Sequence, residues 1–291
     1  MNIFQYINSK LMAKLFPSLS YQISYFHNHH KIANLCHPQN LSEIWYKKAA
    51  GGYYLNYYLL ADKYRVRDYV SQKGYADILT PLIGLYSSPA QIDFDKLPNR
   101  FALKMNFGAT MNIICQDKNI LDRVSAIHNL EKWFKIDNYS FTEKHYSLIQ
   151  KCAICEEFID DGSGGFPTDY KFMCIHGKVH CILACLRREN GNADYLPYSV
   201  DWKPMTAYYK ECSQELRFLK APANLSKMIE IAESLARDID LVRIDLYSNG
   251  LRIWFGEITL TPAGCIFHRW SNKALTRMGE IYSTKNEYYS C

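Results

Sequence analysis

Two apolar runs near the C-terminal end constrain this chain most. In Leu241-Val-Arg-Ile-Asp-Leu-Tyr, strand alternation puts Val242, Ile244 and Leu246 on one face and Arg243 and Asp245 on the other. In Ile253-Trp-Phe-Gly-Glu-Ile-Thr, the residues Phe255, Glu257 and Thr259 share a face. Charged groups on strands this apolar need water or a counter-ion. Carboxylate oxygens suit magnesium, which commonly takes one or two carboxylates together with nucleotide phosphates. Register decides whether Asp245 and Glu257 can act together. A three-residue turn at Ser248-Asn249-Gly250 would leave them roughly 13 Å apart along the sheet. A longer loop or an irregular strand would bring them opposite, so the metal reading requires one or the other. The competing reading is an amphipathic hairpin with a solvated outer face.

The rest of the chain reads as α+β. Residues 1 to about 60 are expected to be helical. Ile3, Ile7, Leu11 and Leu15 form a stripe, His27-Asn28-His29-His30 is irregular, and a second helix runs from Ser42 to about Leu60 with a break at Gly51-Gly52. Phe101–Met105 and Met111–Cys115 resemble a hairpin around Gly108, and 122–134 has helical spacing. Strands follow near 152–159, 170–175 and 179–186, with Asp161-Gly-Ser-Gly-Gly-Phe-Pro as a loop and His176-Gly177-Lys178 as a turn. A Pro- and Tyr-containing loop fills about 187–222. An amphipathic helix from Leu225 to Ala236, with Asn224 as cap, then leads into the two final strands.

A net charge of +5 over 291 residues gives no case for a nucleic-acid binder, but suits a substrate bearing phosphates or carboxylates. No signal pattern opens the chain and no apolar stretch is long enough for a bilayer. The ten cysteines therefore read as reduced thiols of a cytoplasmic protein with no integral membrane segment. Cys152, Cys155, Cys174, His176, His180, Cys181 and Cys185 read either as a zinc site or as buried free thiols. His27, His29 and His30 are a metal site or a polar loop. Arg187 and Arg188 hold an acidic substrate or carry solvated charge at a strand end. Trp202 and the tyrosines at 195, 198, 208 and 209 either stack on a sugar ring or pack a lid.

Six segments, in order, resemble the TupA-like branch of the ATP-grasp superfamily. They are Asp62-Lys-Tyr-Arg-Val-Arg-Asp-Tyr-Val, Phe94-Asp-Lys-Leu-Pro-Asn-Arg-Phe-Ala-Leu-Lys, Glu156-Glu-Phe-Ile, Asp169-Tyr-Lys-Phe, Val242-Arg-Ile-Asp-Leu-Tyr and Phe255-Gly-Glu-Ile-Thr-Leu-Thr-Pro. The resemblance spans about residues 42 to 270. It implies an ATP-grasp fold in which two α+β subdomains clamp ATP behind a helical N-terminal region (1–60). The ATP-grasp part would begin at 61–98, the lid subdomain would occupy 99–158, and the metal-binding subdomain 159–291.

The same resemblance implies residue roles. Lys104 would reach the ATP phosphates, with Gly108 and Thr110 in the phosphate loop, although Met105-Asn-Phe-Gly-Ala-Thr-Met has one glycine where the family usually has several. Glu156 would accept from the adenine amino group, and the backbone of Glu157, Phe158 and Ile159 would pair the ring edge. Lys171 would lie near ribose or phosphates, with Lys63 and Arg67 as further phosphate contacts. Asp245 and Glu257 would hold Mg2+, with Thr259 where many relatives carry Asn. Arg243 would stabilise the transferring phosphoryl group. The implied reaction is a carboxylate–amine ligation through an acyl phosphate. Its partners would be a carboxylate-bearing sugar or glycan intermediate and an amine or amino acid, in surface polysaccharide (capsule or lipopolysaccharide) biosynthesis. Phosphoryl transfer that stops at a kinase-type product, and a nucleotide-binding assembly protein, are the alternatives.

Overall fold

A computed structural model describes residues 15–137, 139–160, 162, 167–187 and 193–287. The N-terminal stripe at Ile3, Ile7 and Leu11, Arg188, and most of the loop from Asp161 to Phe166 lie outside these residues. The chain is α+β, with two antiparallel sheets.

Helix α1 (Pro17–His29) takes in His27, Asn28 and His29, which were expected to be irregular, and His30 follows it as a left-handed cap. His29 is buried, and its ring nitrogens contact the Ile266 carbonyl at 2.7 Å and Asn272 at 3.1 Å. Helix α2 (Leu41–Ala50) is fixed at its start by a capping box. Asn40 accepts from the Glu43 N–H, and Glu43 accepts from the Asn40 N–H. The helix ends at Gly51-Gly52, as expected, and the chain continues through a short 3-10 turn into α3 (Tyr58–Ala61) and α4 (Val66–Gln72). The α1–α2 pair grips the C-terminal part of the chain. Trp45 Nε1 donates to the Leu260 carbonyl at 2.6 Å, and Ser42 Oγ donates to the Cys265 carbonyl at 2.5 Å.

The first sheet has the order β1-β4-β2-β3: β1 (Leu82–Tyr86), β2 (Phe101–Met105), β3 (Asn112–Cys115) and, after helix α5 (Arg123–Phe134), β4 (Ala153–Glu157). Asp122 caps α5 by accepting from the Ser125 N–H. The second sheet has the order β7-β6-β5-β8-β9: β5 (Asp169–Ile175), β6 (Lys178–Arg187), β7 (Ala193–Tyr198), β8 (Leu241–Ser248) and β9 (Ile253–Thr259). Helix α6 (Leu225–Ala236) packs Met228, Ile231, Ala232 and Leu235 against this sheet, and α7 (Asn272–Glu287) follows it.

Strands β1 and β7 fall where the sequence suggested no strand. β1 carries a glycine and exposed leucines, and β7 an edge proline, so neither shows clean alternation. Asn224 precedes α6 as expected but makes no side-chain cap; its Oδ1 accepts instead from Ser248 Oγ at 2.8 Å. Among the described residues, no helix is long and apolar enough to cross a membrane.

Candidate active site between the two sheets

The β8–β9 hairpin has a longer loop and an irregular strand, where the metal reading required one or the other. Its loop is four residues long, Asn249 to Arg252, and a bulge lies between Asp245 and Leu246: Asp245 pairs with Glu257, whereas Leu246 pairs with Phe255. Gly256 is the extra residue. A Cβ there would lie 2.9 Å from the Asp245 carbonyl oxygen, closer than a side-chain carbon can sit. Asp245 and Glu257 therefore stand directly opposite.

They form part of a cleft of about 590 Å³ between the sheets. One side carries Lys104 and Glu156, with Gly108 and Thr110 on the β2–β3 loop. The other carries Lys171, Arg243, Asp245 and Glu257. Lys63 and Arg67, flanking the start of α4, complete it. Ten residues singled out in the sequence thus meet in one place, although they span nearly two hundred positions.

The cleft carries five cations against four carboxylates: Lys63, Arg67, Lys104, Lys171 and Arg243 against Glu156, Asp169, Asp245 and Glu257. Arg243 forks onto Asp245, with Nε–Oδ1 at 2.6 Å and a terminal nitrogen 2.7 Å from Oδ2. The same nitrogen reaches Glu257 Oε1 at 3.1 Å and Thr259 Oγ1 at 2.9 Å, and Thr259 donates to Glu257 at 2.8 Å. Lys171 Nζ lies between Asp169 at 2.5 Å and Asp245 at 2.7 Å. Burial alone would lower Lys171, but the two carboxylates outweigh it and raise its pKa. Burial would likewise raise Glu257, yet Lys63, Arg243 and Lys171 prevail and hold it at about 2. Lys63 itself is pulled down by burial, with Glu257 opposing.

The β2–β3 loop is held from beneath. Asn106 is fully buried, donates to the Gln150 carbonyl and accepts from the Cys152 N–H. Lys63 Nζ donates to the Gly108 carbonyl at 2.6 Å and lies 3.7 Å from Glu257. Gly108 and Thr110 both have left-handed backbone, φ 68° and 63°. Left-handed residues in a turn are the kind of backbone that can present amides to an anion.

The Glu156 carboxylate is paired with Arg67 at 2.8 Å and with Lys104 at 2.9 Å. Glu157, Phe158 and Ile159 line a separate slot with Ala102, Ile114 and Tyr247, and Lys104 borders both spaces. The Glu157 N–H is bonded to the Pro81 carbonyl at 3.0 Å. Thr259 stands behind Glu257 rather than on the cleft wall. Arg187 ends β6 opposite Ala193.

Asp169 and Tyr247 were not singled out as site residues. Asp169 is 3% exposed, burial raises its pKa, and its Oδ1 has no hydrogen-bond partner. The Asp169-x-Lys171 spacing, two charges on one face of an apolar strand, was the available signal.

Asp245 and Glu257 offer hard oxygen donors, and no group of three or more His, Cys, Asp or Glu among the described residues is arranged to hold a metal. That donor set fits magnesium shared with phosphates better than an all-protein cage. It does not fit zinc. Cys155, Cys174, Cys181 and Cys185 are buried, and burial pushes Cys152 and Cys155 up to about 12, far from thiolate. Trp202 stacks on Tyr198 at 4.1 Å and donates to the Leu219 carbonyl, while Tyr208 stacks on His180. These three rings pack against protein.

No curated protein matches the sequence. Among solved structures, the chain is similar to D-alanine–D-alanine ligase from Bacillus anthracis complexed with ATP (15% identity, 69% of this chain and 54% of that one, TM-score 0.40). It is also similar to the ATP-grasp ligase PsnB complexed with minimal precursor (12%, 82% and 62%, TM-score 0.42). A third is D-cycloserine synthetase DcsG (12%, 77% and 71%, TM-score 0.40). The chain spans about half the length of the first of these. The TupA-like ATPgrasp family model matches residues 42–281, which takes in both sheets and every residue of the cleft. The chain belongs to the TupA-like ATP-grasp family.

Proposed function

We propose that the protein is an ATP-dependent carboxylate–amine ligase. The observation that carries this reading is the placement of Lys104, Lys171 and Arg243 around one cleft with the Asp245–Glu257 pair. Phosphoryl transfer depends on positioning and on positive charge around the migrating group, more than on a protein nucleophile. The substrate carboxylate attacks the γ-phosphorus of ATP, the bond to the β–γ bridging oxygen breaks, and ADP leaves. The amine then attacks the acyl carbon, inorganic phosphate departs, and the amine loses a proton to leave the amide.

In this reading Lys104 and the 106–111 loop bind the phosphates, and Phe158 and Ile159 flank the base. Arg243 and Lys171 neutralise charge on the transferring group. Asp245 and Glu257 would hold Mg2+, which would supply charge neutralisation at the nucleotide phosphates. The Asp245 oxygens that now accept from Arg243 and Lys171 are the ones such binding would recruit. The family branch supports a uronic-acid carboxylate as acceptor and an amino acid or similar amine as nucleophile, in surface polysaccharide biosynthesis.

The test is product analysis with ATP, magnesium, uronic acids and an amine panel. ADP, phosphate and amide formed only when acid and amine are both present support a ligase. A phosphorylated product that needs no amine would select a kinase-type enzyme instead.

A further inference from the structure

A smaller chamber of about 160 Å³ adjoins the nucleotide cleft, and Lys171, Tyr195 and Arg243 line both. Its far wall is the segment 262–270, which follows β9, together with Tyr209. Three non-glycine residues in that segment have left-handed backbone: Ala263 (φ 50°), Cys265 (φ 68°) and Phe267 (φ 54°). Such conformations persist only where the surroundings over-determine them, and they cluster at ligand sites. Here the restraint comes from far along the chain, because Ser42 and His29 hold the carbonyls of Cys265 and Ile266. The N-terminal helices thus fix the shape of this wall.

The chamber pairs aromatic surface with an uncommitted cation. Tyr209 and Trp270 pack edge to face at 5.5 Å, and Tyr195 lies 5.9 Å from Tyr209. Arg269 lies over the Tyr195 ring, 4.7 Å from its centroid, and has no carboxylate partner among the described residues. Arg243 and Lys171, by contrast, are already paired with Asp245. A stacked guanidinium is pre-organised to take a carboxylate by two parallel hydrogen bonds. The negative face of an aromatic ring suits the weakly positive C–H face of a pyranose. A volume of 160 Å³ is below the several hundred Å³ of pockets for larger ligands, so one ring fits rather than an oligomer.

We propose that this chamber is the acceptor subsite and binds a single uronic-acid residue, with its ring among Tyr195, Tyr209 and Trp270 and its carboxylate between Arg269 and the Lys171–Arg243 boundary of the nucleotide cleft. This rests on the ligase reading for its chemistry but makes a separate binding claim. Arg269 sets specificity, and Arg187 is not among the described residues that line this chamber.

The test is calorimetric titration of the full chain with methyl β-D-glucuronide, with and without a non-hydrolysable ATP analogue. Uncharged methyl β-D-glucoside and acetate are the comparison probes. The glucuronide should bind at least tenfold more tightly than either. Arg269→Gln should weaken it by about tenfold or more, with Arg269→Lys recovering part of the loss and analogue affinity unchanged in both. Acetate binding as tightly as the glucuronide would overturn the sugar assignment. Unchanged glucuronide affinity in Arg269→Gln, or no glucuronide binding by a protein that binds the analogue, would overturn the subsite and leave the ligase reading standing. Failure to bind the analogue, with the glucuronide result as expected, would count against the ligase reading alone.

Discussion

Asp245 and Glu257 are register partners across β8 and β9, and they are so only because Gly256 is accommodated as an extra residue between two aligned stretches of strand. Without that bulge, Glu257 would shift by one position and turn to the opposite face. Gly256→Ala would drive a Cβ against the Asp245 carbonyl, 2.9 Å away, and that backbone atom cannot yield without disturbing the ladder. We expect a stability loss of about 1–3 kcal/mol in denaturant titration, and a fall in turnover greater than that of an equally destabilised variant elsewhere in the core.

The carboxylate pair should be essential for turnover. Asp245→Asn and Glu257→Gln each remove an anionic oxygen from the place where Mg2+ would bind, and each should lower turnover about a hundredfold or more with an unchanged circular dichroism spectrum. Near-normal activity in either variant would remove the magnesium assignment.

Glu257 should also leave a mark on acid stability. Its folded pKa, about 2, is below the ordinary 4.5, because neighbouring cations outweigh the effect of burial. A depressed carboxylate contributes stability that is fully present above its unfolded pKa and is lost as pH falls through the folded one. The window is therefore about pH 4.5 down to 2. The contribution is at most about 3 kcal/mol, reduced by solvent screening at this partly exposed side chain. Glu257→Gln should flatten the stability–pH curve of the native protein across that window, as read by urea unfolding at successive pH values.

Lys63 ties the β2–β3 loop to the β8–β9 hairpin, donating to Gly108 and facing Glu257. Lys63→Met should free that loop. Amide hydrogen exchange at 107–111 should accelerate by tenfold or more, while exchange in β5 and β8 stays as it was. Unchanged loop exchange would show that Asn106 alone holds the loop.

Lys104 borders both the inter-sheet cleft and the slot lined by Phe158 and Ile159. Lys104→Ala should raise the dissociation constant for ATP by about tenfold or more. Arg67 still satisfies Glu156 in that variant, so the fold should remain intact.

The carboxylate hairpin was legible because its residues lie on strands whose alternation is plain, whereas Lys63, Arg67, Lys104, Gly108, Thr110, Glu156 and Lys171 were reached only through the family resemblance. Arg243, Asp245 and Glu257 interrupt apolar runs, and β5, β6, β8 and α6 all fall where periodicity places them. β1 and β7 were not legible, since an edge strand with glycine or proline and half-exposed residues shows no alternation. The ion pairs of Glu156 were not legible: its strand was clear, but its partners are Arg67, 89 positions away, and Lys104, and local pattern does not reveal which cation a carboxylate meets. The bulge was anticipated only as a condition, because one glycine in a strand does not announce the two-against-one pairing it permits. The left-handed 263–267 segment was invisible, being imposed by helices more than two hundred residues away.

Calorimetric titration with a non-hydrolysable ATP analogue, with and without magnesium, tests the central claim most directly. The account predicts binding to the native protein that magnesium strengthens, and loss of that magnesium dependence in Glu257→Gln. Absence of binding in every condition, or identical magnesium dependence in Glu257→Gln, would contradict it.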